Sequence, residues 1–284
     1  MLRREALAAL VGAAAHAAAR PEPLLGAARG AALLIDFRTG RPLTVDGADL
    51  ARQGLIPPGS TLKPLTLYAL IEAGKLAANE RFPCPLKLSI GGREFTCSHP
   101  PLGEPVGIAT AIAYSCNCFV AHFAERFEAG ELARRLAAFG LAAPTGLLGE
   151  PEIAGRVEPA GTLDARRLQA IGEERVLVTP LGLAAAYRRL AALASRPAMA
   201  PILEGLEGAV DYGTAQLARV EGLSVAGKTG SVRTPAGVHA WFAGFAPSRS
   251  PEIVIAVVVQ GRSGAADAAP IAGRILRAHK AGRL

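Results

Sequence analysis

Along the chain, the spacing of apolar positions changes from strand-like to helical and back. Ala31-Ala32-Leu33-Leu34-Ile35-Asp36-Phe37 is a short apolar run, followed by the turn-forming Arg38-Thr39-Gly40-Arg41-Pro42. Leu43-Thr44-Val45 can then pair back as a hairpin. Ile56-Pro57-Pro58-Gly59 is a stiff approach, and from Ser60 the period becomes helical. Leu62, Leu65, Leu67, Ala69, Leu70, Ile71 and Ala73 are apolar, and Gly74 stands near the stop. Between Cys84 and Cys97 the pattern alternates around Gly91-Gly92, which predicts a second β-hairpin. Residues 107–196 carry Ala-rich periodic runs broken at Gly140, Pro144, Pro151 and Pro180, and read as mostly helical. Strand patterns return at 223–232, 239–246 and 253–259, and a helix is expected over 269–279.

Strands at both ends with helices between predict that the termini share one sheet around an inserted helical lobe. The sheet lobe would take residues 30–60 and 220–284 and the helical lobe about 61–215, within a single domain spanning 21–284. No repeat and no low-complexity linker interrupts it. A cleft is expected where sheet and helical lobe meet. Residues 1–20 stand apart: Met1-Leu2-Arg3-Arg4 and the Ala/Leu/Val stretch after it read equally as a secretory signal or as an Ala-rich N-terminal helix. The apolar part is shorter than the roughly 20 residues a membrane span needs, and no later segment is long enough.

Composition narrows the class. Half of the 284 residues are hydrophobic and 19% are charged, so a sizeable core is expected and disorder is not. The net charge of +7 would suit an anionic partner. The arginines, however, come in scattered ones and twos, as in Arg134-Arg135 and Arg188-Arg189, with no basic block and few aromatics between them, which argues against nucleic acid. Cys84 and Cys97 bracket the predicted hairpin, so its ends would face each other and a Cys84 to Cys97 disulfide is expected in an oxidising compartment. Cys116 and Cys118 lie in a helical context and read as small buried hydrophobes. The spacing offers no second Cys/His pair, and His16, His99, His122, His239 and His279 are dispersed, so no metal site and no cofactor are expected.

Three short motifs could carry chemistry. In Ser60-Thr61-Leu62-Lys63 a serine opens a helix and a lysine follows one turn later on the same face, so the two can touch. A lysine in a dry cleft gives up its proton more readily and can activate the hydroxyl. Ser60 alone reads as an ordinary helix cap. Ser115-Cys116-Asn117 offers a hydroxyl to relay a proton and an amide to bind a peptide group, or simply a turn. Lys228-Thr229-Gly230-Ser231 lies on a strand, where Lys228 and Gly230 share a face and Gly230 lets a substrate backbone approach. Thr229 and Ser231 would need a bulge or twist to share a cleft with Lys228.

Together and in this order, Ser-x-x-Lys, Ser-x-Asn and Lys-Thr-Gly form the constellation of penicillin-binding proteins and class A β-lactamases. The chain resembles the transpeptidase domain of class B penicillin-binding proteins over about residues 30 to 280. Pro57-Pro58-Gly59 before the nucleophile, Ile171-Gly172, Val178-Thr179-Pro180-Leu181 and His239-Ala240-Trp241-Phe242-Ala243-Gly244-Phe245 are similar to other family segments. The resemblance implies an α/β fold of the α+β type: a five-stranded antiparallel sheet flanked by helices, with an inserted, mostly helical subdomain. It implies that Ser60 is the acylated nucleophile and Lys63 its base, and that Ser115 and Lys228 carry the proton to departing D-Ala. Asn117, Thr229, Gly230 and Ser231 would hold the substrate. It further implies peptidoglycan stem peptides and β-lactams as ligands, cell-wall synthesis proteins as partners, and a place in the periplasm or extracytoplasmic envelope. The family's large N-terminal module and membrane helix are expected to have no room here. A serine β-lactamase, or a β-lactam or muropeptide sensor or idle scaffold, would share these motifs. Glu150, Glu152, Glu158, Glu173 and Glu174 fall where class A β-lactamases carry their deacylating acid, but sit in no matching pattern.

Overall fold

The structure is a computed structural model and describes residues 24–149 and 151–284; the signal or helix expected at 1–20 lies outside them. The chain opens with strands β1 (Gly30–Asp36) and β2 (Pro42–Asp46) and helix α1 (Ala48–Gln53). A 3₁₀ turn at Gly59–Leu62 then runs into α2 (Lys63–Glu72). A hairpin of β3 (Lys87–Ile90) and β4 (Arg93–Thr96) precedes α3 (Ile108–Ala113), α4 (Asn117–Ala124) and α5 (Glu131–Ala138). Two short strands, β5 (Arg156–Val157) and β6 (Val176–Leu177), flank α6 (Leu163–Ala170), and α7 (Pro180–Ala191) and α8 (Ala200–Asp211) follow. The chain closes with β7 (Ala226–Thr234), β8 (Gly237–Ala246), β9 (Ile253–Gln260) and α9 (Ala269–Lys280).

Five strands make one antiparallel sheet in the order β2-β1-β9-β8-β7, flanked by helices, as the resemblance implies. The register Gly30↔Val259 to Asp36↔Ile253 brings the start of the chain against its end. β9 is apolar from Ile253 to Val259 because both of its faces are covered. Val254, Ala256 and Val258 lie on the face covered by α7, in the buried cluster that holds Tyr187, while Ile255, Val257 and Val259 lie on the face covered by α9, in the cluster that holds Ile271 and Ile275. A strand with no wet face has no place for polar alternation, and each of its buried valines is worth on the order of 1.5 kcal/mol.

Three boundaries differ from the sequence reading. The helix expected from Ser60 begins at Lys63: Pro64 lacks an N–H and fits only the first helical turn, so Ser60 falls in the tighter 3₁₀ turn before it. The strand expected from residue 223 begins at Ala226, because Val220 and Leu223 close a small turn of their own. The expected Cys84–Cys97 disulfide is not formed. Leu86 adopts φ 67° and turns the chain out of the hairpin ladder, so Cys97 pairs its N–H with Leu86 O (2.7 Å) and Cys84 falls beyond the last rung. The two sulfurs stand 3.7 Å apart, against about 2.05 Å for a bond, and all four cysteines are free thiols.

Candidate functional site

Ser60 stands half-buried on a turn that is pinned from several sides. Gly59 N–H donates to Gly172 O (3.0 Å), and Thr61 Oγ1 donates to Pro58 O (2.7 Å). Tyr187 of α7 donates its hydroxyl to Thr61 O (2.8 Å), and Trp241 of β8 donates its indole N–H to Pro57 O (3.0 Å). One turn on, Thr66 Oγ1 donates to Ala170 O (2.9 Å). Gly172 has φ +81°, and a Cβ there would lie 2.1 Å from Gly59 O, so only glycine lets this loop support the turn that carries Ser60.

Lys63 is the first residue of α2 and is wholly buried. Its ammonium donates to Ser115 O (2.7 Å), Ser115 Oγ (3.2 Å) and Asn117 Oδ1 (2.6 Å), one acceptor for each proton. Loss of hydration pulls its pKa down from 10.5 to about 8. Ser115 lies in the junction between α3 and α4 with φ 59°, and this left-handed residue turns the chain so that Ser115 and Asn117 converge. Asn117 also donates Nδ2 to Thr96 O (3.4 Å), which ties the turn to the β3–β4 hairpin.

β7 is the edge strand of the sheet, and the turn that carries Ser60 packs against it. A Cβ on Gly230 would lie 2.9 Å from Pro58 O and 3.2 Å from Thr61 N, so glycine permits this approach. Lys228 shares Gly230's face, is wholly buried, and donates to Thr229 O (2.9 Å). Burial holds its pKa well below the usual lysine range, and the nearby Lys63 charge adds to the effect. The β7–β8 register runs unbroken from Ala226↔Phe245 to Thr234↔Gly237, so no bulge turns Thr229 or Ser231 toward Lys228. Thr229 donates instead to Thr214 Oγ1 (2.7 Å), and Ser231 Oγ accepts from Gly264 N–H (3.0 Å). The first and second motifs are thus in direct contact, and the third packs its backbone on the turn that carries Ser60.

A model of the family described as penicillin binding protein transpeptidase domain matches residues 30–277. The chain belongs to this family. Among its relatives is the peptidoglycan D,D-transpeptidase PbpA of Mycolicibacterium smegmatis, 27% identical over 267 residues, with 76% of this chain and 53% of the relative covered. PbpA of Mycobacterium tuberculosis is likewise 27% identical, over 269 residues, with 78% and 54% covered. The chain therefore spans about half the length of the curated relatives it matches. Penicillin-binding protein PBP2 of Pseudomonas aeruginosa, solved in complex with WCK 5153, superposes with a TM-score of 0.80 at 22% identity, covering 90% of this chain and 74% of that one. PBP2 of Helicobacter pylori, solved as a complex with MreC, also superposes with a TM-score of 0.80, at 20% identity, covering 92% and 62%.

Several residues of this penicillin-binding transpeptidase domain escaped sequence reasoning. Thr214, the partner of Thr229, sits just after α8 in no pattern that marks it, and Tyr187 reads as one more apolar position of a helix. Gly172 and Trp241 stand in the family-like segments, but their hydrogen bonds to the Ser60 turn are tertiary and leave no local signal. Of the five glutamates, Glu150 lies outside the described residues. Glu152 accepts from Thr145 N–H and Gly146 N–H (2.6 and 2.7 Å), and Glu158 stands 3.7 Å from Arg175. Glu173 and Glu174 pair with Arg93 (2.9 and 2.7 Å). The Cys/His set that the spacing along the chain did not offer is brought together by the fold. Cys84, Cys97, His99 and Cys116 bring their ligand atoms within 4.8 Å of one another.

Proposed function

We propose that this domain is a serine D,D-acyltransferase that acts on the D-Ala-D-Ala ends of peptidoglycan stem peptides. The observation that carries the reading is the contact of buried Lys63 with Ser115 and Asn117, residues 52 and 54 positions away, one helical turn from Ser60. An ammonium so deeply desolvated releases a proton near neutral pH, which suits a base for a serine hydroxyl.

In this mechanism Lys63 takes the Ser60 proton and Oγ attacks the carbonyl carbon of the penultimate D-Ala. The oxyanion is met by backbone N–H groups of Ser60 and Ser231, where β7 closes on the turn. Collapse breaks the peptide bond, and the leaving D-Ala amine receives a proton along Ser115 and Lys228. The acyl group then rests on Ser60 until an acceptor amine takes it, giving a cross-link, or water takes it, giving hydrolysis. Asn117 both holds Lys63 and faces the peptide, while Thr229, braced by Thr214, binds the terminal carboxylate. A β-lactam would acylate Ser60 through the same steps. Such a substrate places the protein in the extracytoplasmic envelope, beside other cell-wall synthesis proteins; among the described residues no helix is long and apolar enough to cross a membrane.

Incubation with a fluorescent penicillin, followed by peptide mass mapping, tests this. One stable adduct is expected on Ser60 and none on the Ser60→Ala variant, with D-Ala released from a pentapeptide substrate. Label on another residue would sink the proposal, and rapid loss of label with drug hydrolysis would point to a β-lactamase.

A further inference from the structure

We propose that Cys84, Cys97, His99 and Cys116 form a tetrahedral site for a zinc-type dication that staples the β3–β4 hairpin to the Ser115–Asn117 turn. The four ligand atoms all lie within 4.8 Å of one another, although they come from three places in the fold. Cys84 precedes the hairpin, Cys97 and His99 follow it, and Cys116 lies at the junction of α3 and α4.

The spacing suits a metal better than it suits a disulfide. The three sulfurs form a triangle with edges of 3.7, 3.7 and 3.4 Å. Zinc bonded to sulfur at about 2.3 Å in tetrahedral geometry sets its thiolates about 3.8 Å apart. The imidazole supplies the fourth vertex, with Nε2 3.7 Å from Cys84 Sγ. Its other nitrogen lies 2.8 Å from Pro100 O. A carbonyl can only accept, so Nδ1 carries the hydrogen and Nε2 presents its lone pair to the sulfurs, the usual way a backbone carbonyl orients a metal-binding histidine.

The backbone around the sulfurs suits thiolates. Leu86 N–H donates to Cys84 Sγ and Phe119 N–H donates to Cys116 Sγ, each at 3.4 Å. The N–H groups of Asn117 and Cys118, in the first turn of α4, face Cys97 Sγ. Donors aimed at three sulfurs favour the charged form. Cys97, His99 and Cys116 are buried, and a pocket of about 280 Å³ lined by Cys84, Leu86, His99 and Val106 gives a route in from solvent. Cys118, 3.5 Å from Cys97, is left as a neighbour rather than a ligand.

Three thiolates and one imidazole closed around a tetrahedron are the donor set of a structural zinc. Binding releases three thiol protons, changes no oxidation state, and leaves a site with one net negative charge. Because Cys116 stands between Ser115 and Asn117, the metal would hold the turn that supplies all three acceptors of the Lys63 ammonium. Metal binding itself does not depend on the acyl-transfer reading, so the two can fail separately.

Titration of the full chain with zinc or cobalt(II) under reducing conditions, with circular dichroism to verify the fold, tests the site. One equivalent per chain is expected, and cobalt should give thiolate charge-transfer absorption with the intense visible bands of four-coordination. Outer partners of metal ligands alone account for about ten- to a hundredfold in affinity, so Cys97→Ser, Cys116→Ser and His99→Ala should each weaken binding at least a hundredfold. Cys118→Ser should leave affinity unchanged. A folded chain that takes up no stoichiometric metal would overturn the proposal. So would loss of affinity in Cys118→Ser without loss in His99→Ala, or a Cys84–Cys97 cross-link, lighter by two hydrogens, that persists with zinc present.

Discussion

The two walls of the site are built differently. The wall that carries Ser60 is made of backbone packed on backbone, with Gly172 and Gly230 allowing contacts that a methyl group would block. Buried tyrosine, tryptophan and threonine side chains fasten its carbonyls. The wall that carries Ser115 and Asn117 is a tight turn between short helices, braced by the Asn117 side chain on a backbone carbonyl of the β3–β4 hairpin and by a cluster of sulfurs. Lys63 belongs to the first wall through α2 and to the second through its ammonium. The contrast teaches that Ser60 is positioned by the interior of the fold, whereas the polar groups beside it depend on contacts that a few side chains can make or lose.

The largest effect should follow from breaking the first wall at its tightest point. In Gly172→Ala the new Cβ meets Gly59 O at 2.1 Å, and the backbone must keep φ +81° with a side chain attached. The strain alone costs about 1 kcal/mol and the collision raises the total to about 3 kcal/mol or more. A melting temperature lower by about 6 °C or more is expected, with slower acylation of Ser60 because its turn is displaced. Gly146 has a similar φ of +70° with nothing within 4 Å, so Gly146→Ala isolates the backbone strain. Equal losses in the two variants would show that close packing does not set this wall apart.

A smaller effect probes the group that joins the walls. In the proposed mechanism the Lys63 amine must be neutral to accept a proton, so a lowered lysine pKa makes acylation rise with pH. With a pKa of about 8 for Lys63, about a tenth of the chains hold the neutral amine at pH 7 and about nine-tenths at pH 9. The acylation rate by a β-lactam should therefore rise about tenfold over that range, with its midpoint near 8. A profile flat to pH 9, or one that climbs only near 10.5, would remove Lys63 from the role of base.

How far the sequence revealed each wall follows from the same contrast. The unbroken apolar run of β9, the alternation of the hairpin and the three motifs were readable because each is a local pattern. The 3₁₀ turn under Ser60 could be anticipated only by giving Pro64 its full weight. Thr214 and Tyr187 were not legible, since a hydroxyl that meets a partner 15 or 126 residues away carries no periodicity. The cysteines misled for a related reason. Pairing was judged from the ends of one hairpin, while the sulfurs gather across 32 residues through a turn set by Leu86 and another set by Ser115.

The smallest effect should come from the outer brace of the second wall. Arg93, on β4, reaches Glu173 and Glu174 in the loop that follows α6, and lies 5.0 Å over the Phe95 ring. Its side chain is 46% exposed, as is that of Glu174, with Glu173 at 19%, so water reaches the guanidinium and screens both pairs, and long side chains lose freedom to hold them. Exposed pairs of this kind contribute less than about 1 kcal/mol. Arg93→Ala should lower the stability measured by urea unfolding by no more than that, leave the unfolding slope unchanged, and barely alter acylation. A loss of about 2 kcal/mol or more would mean that surface charges, not the turn and its sulfurs, carry the hairpin, and the division between the two walls would then have to be redrawn.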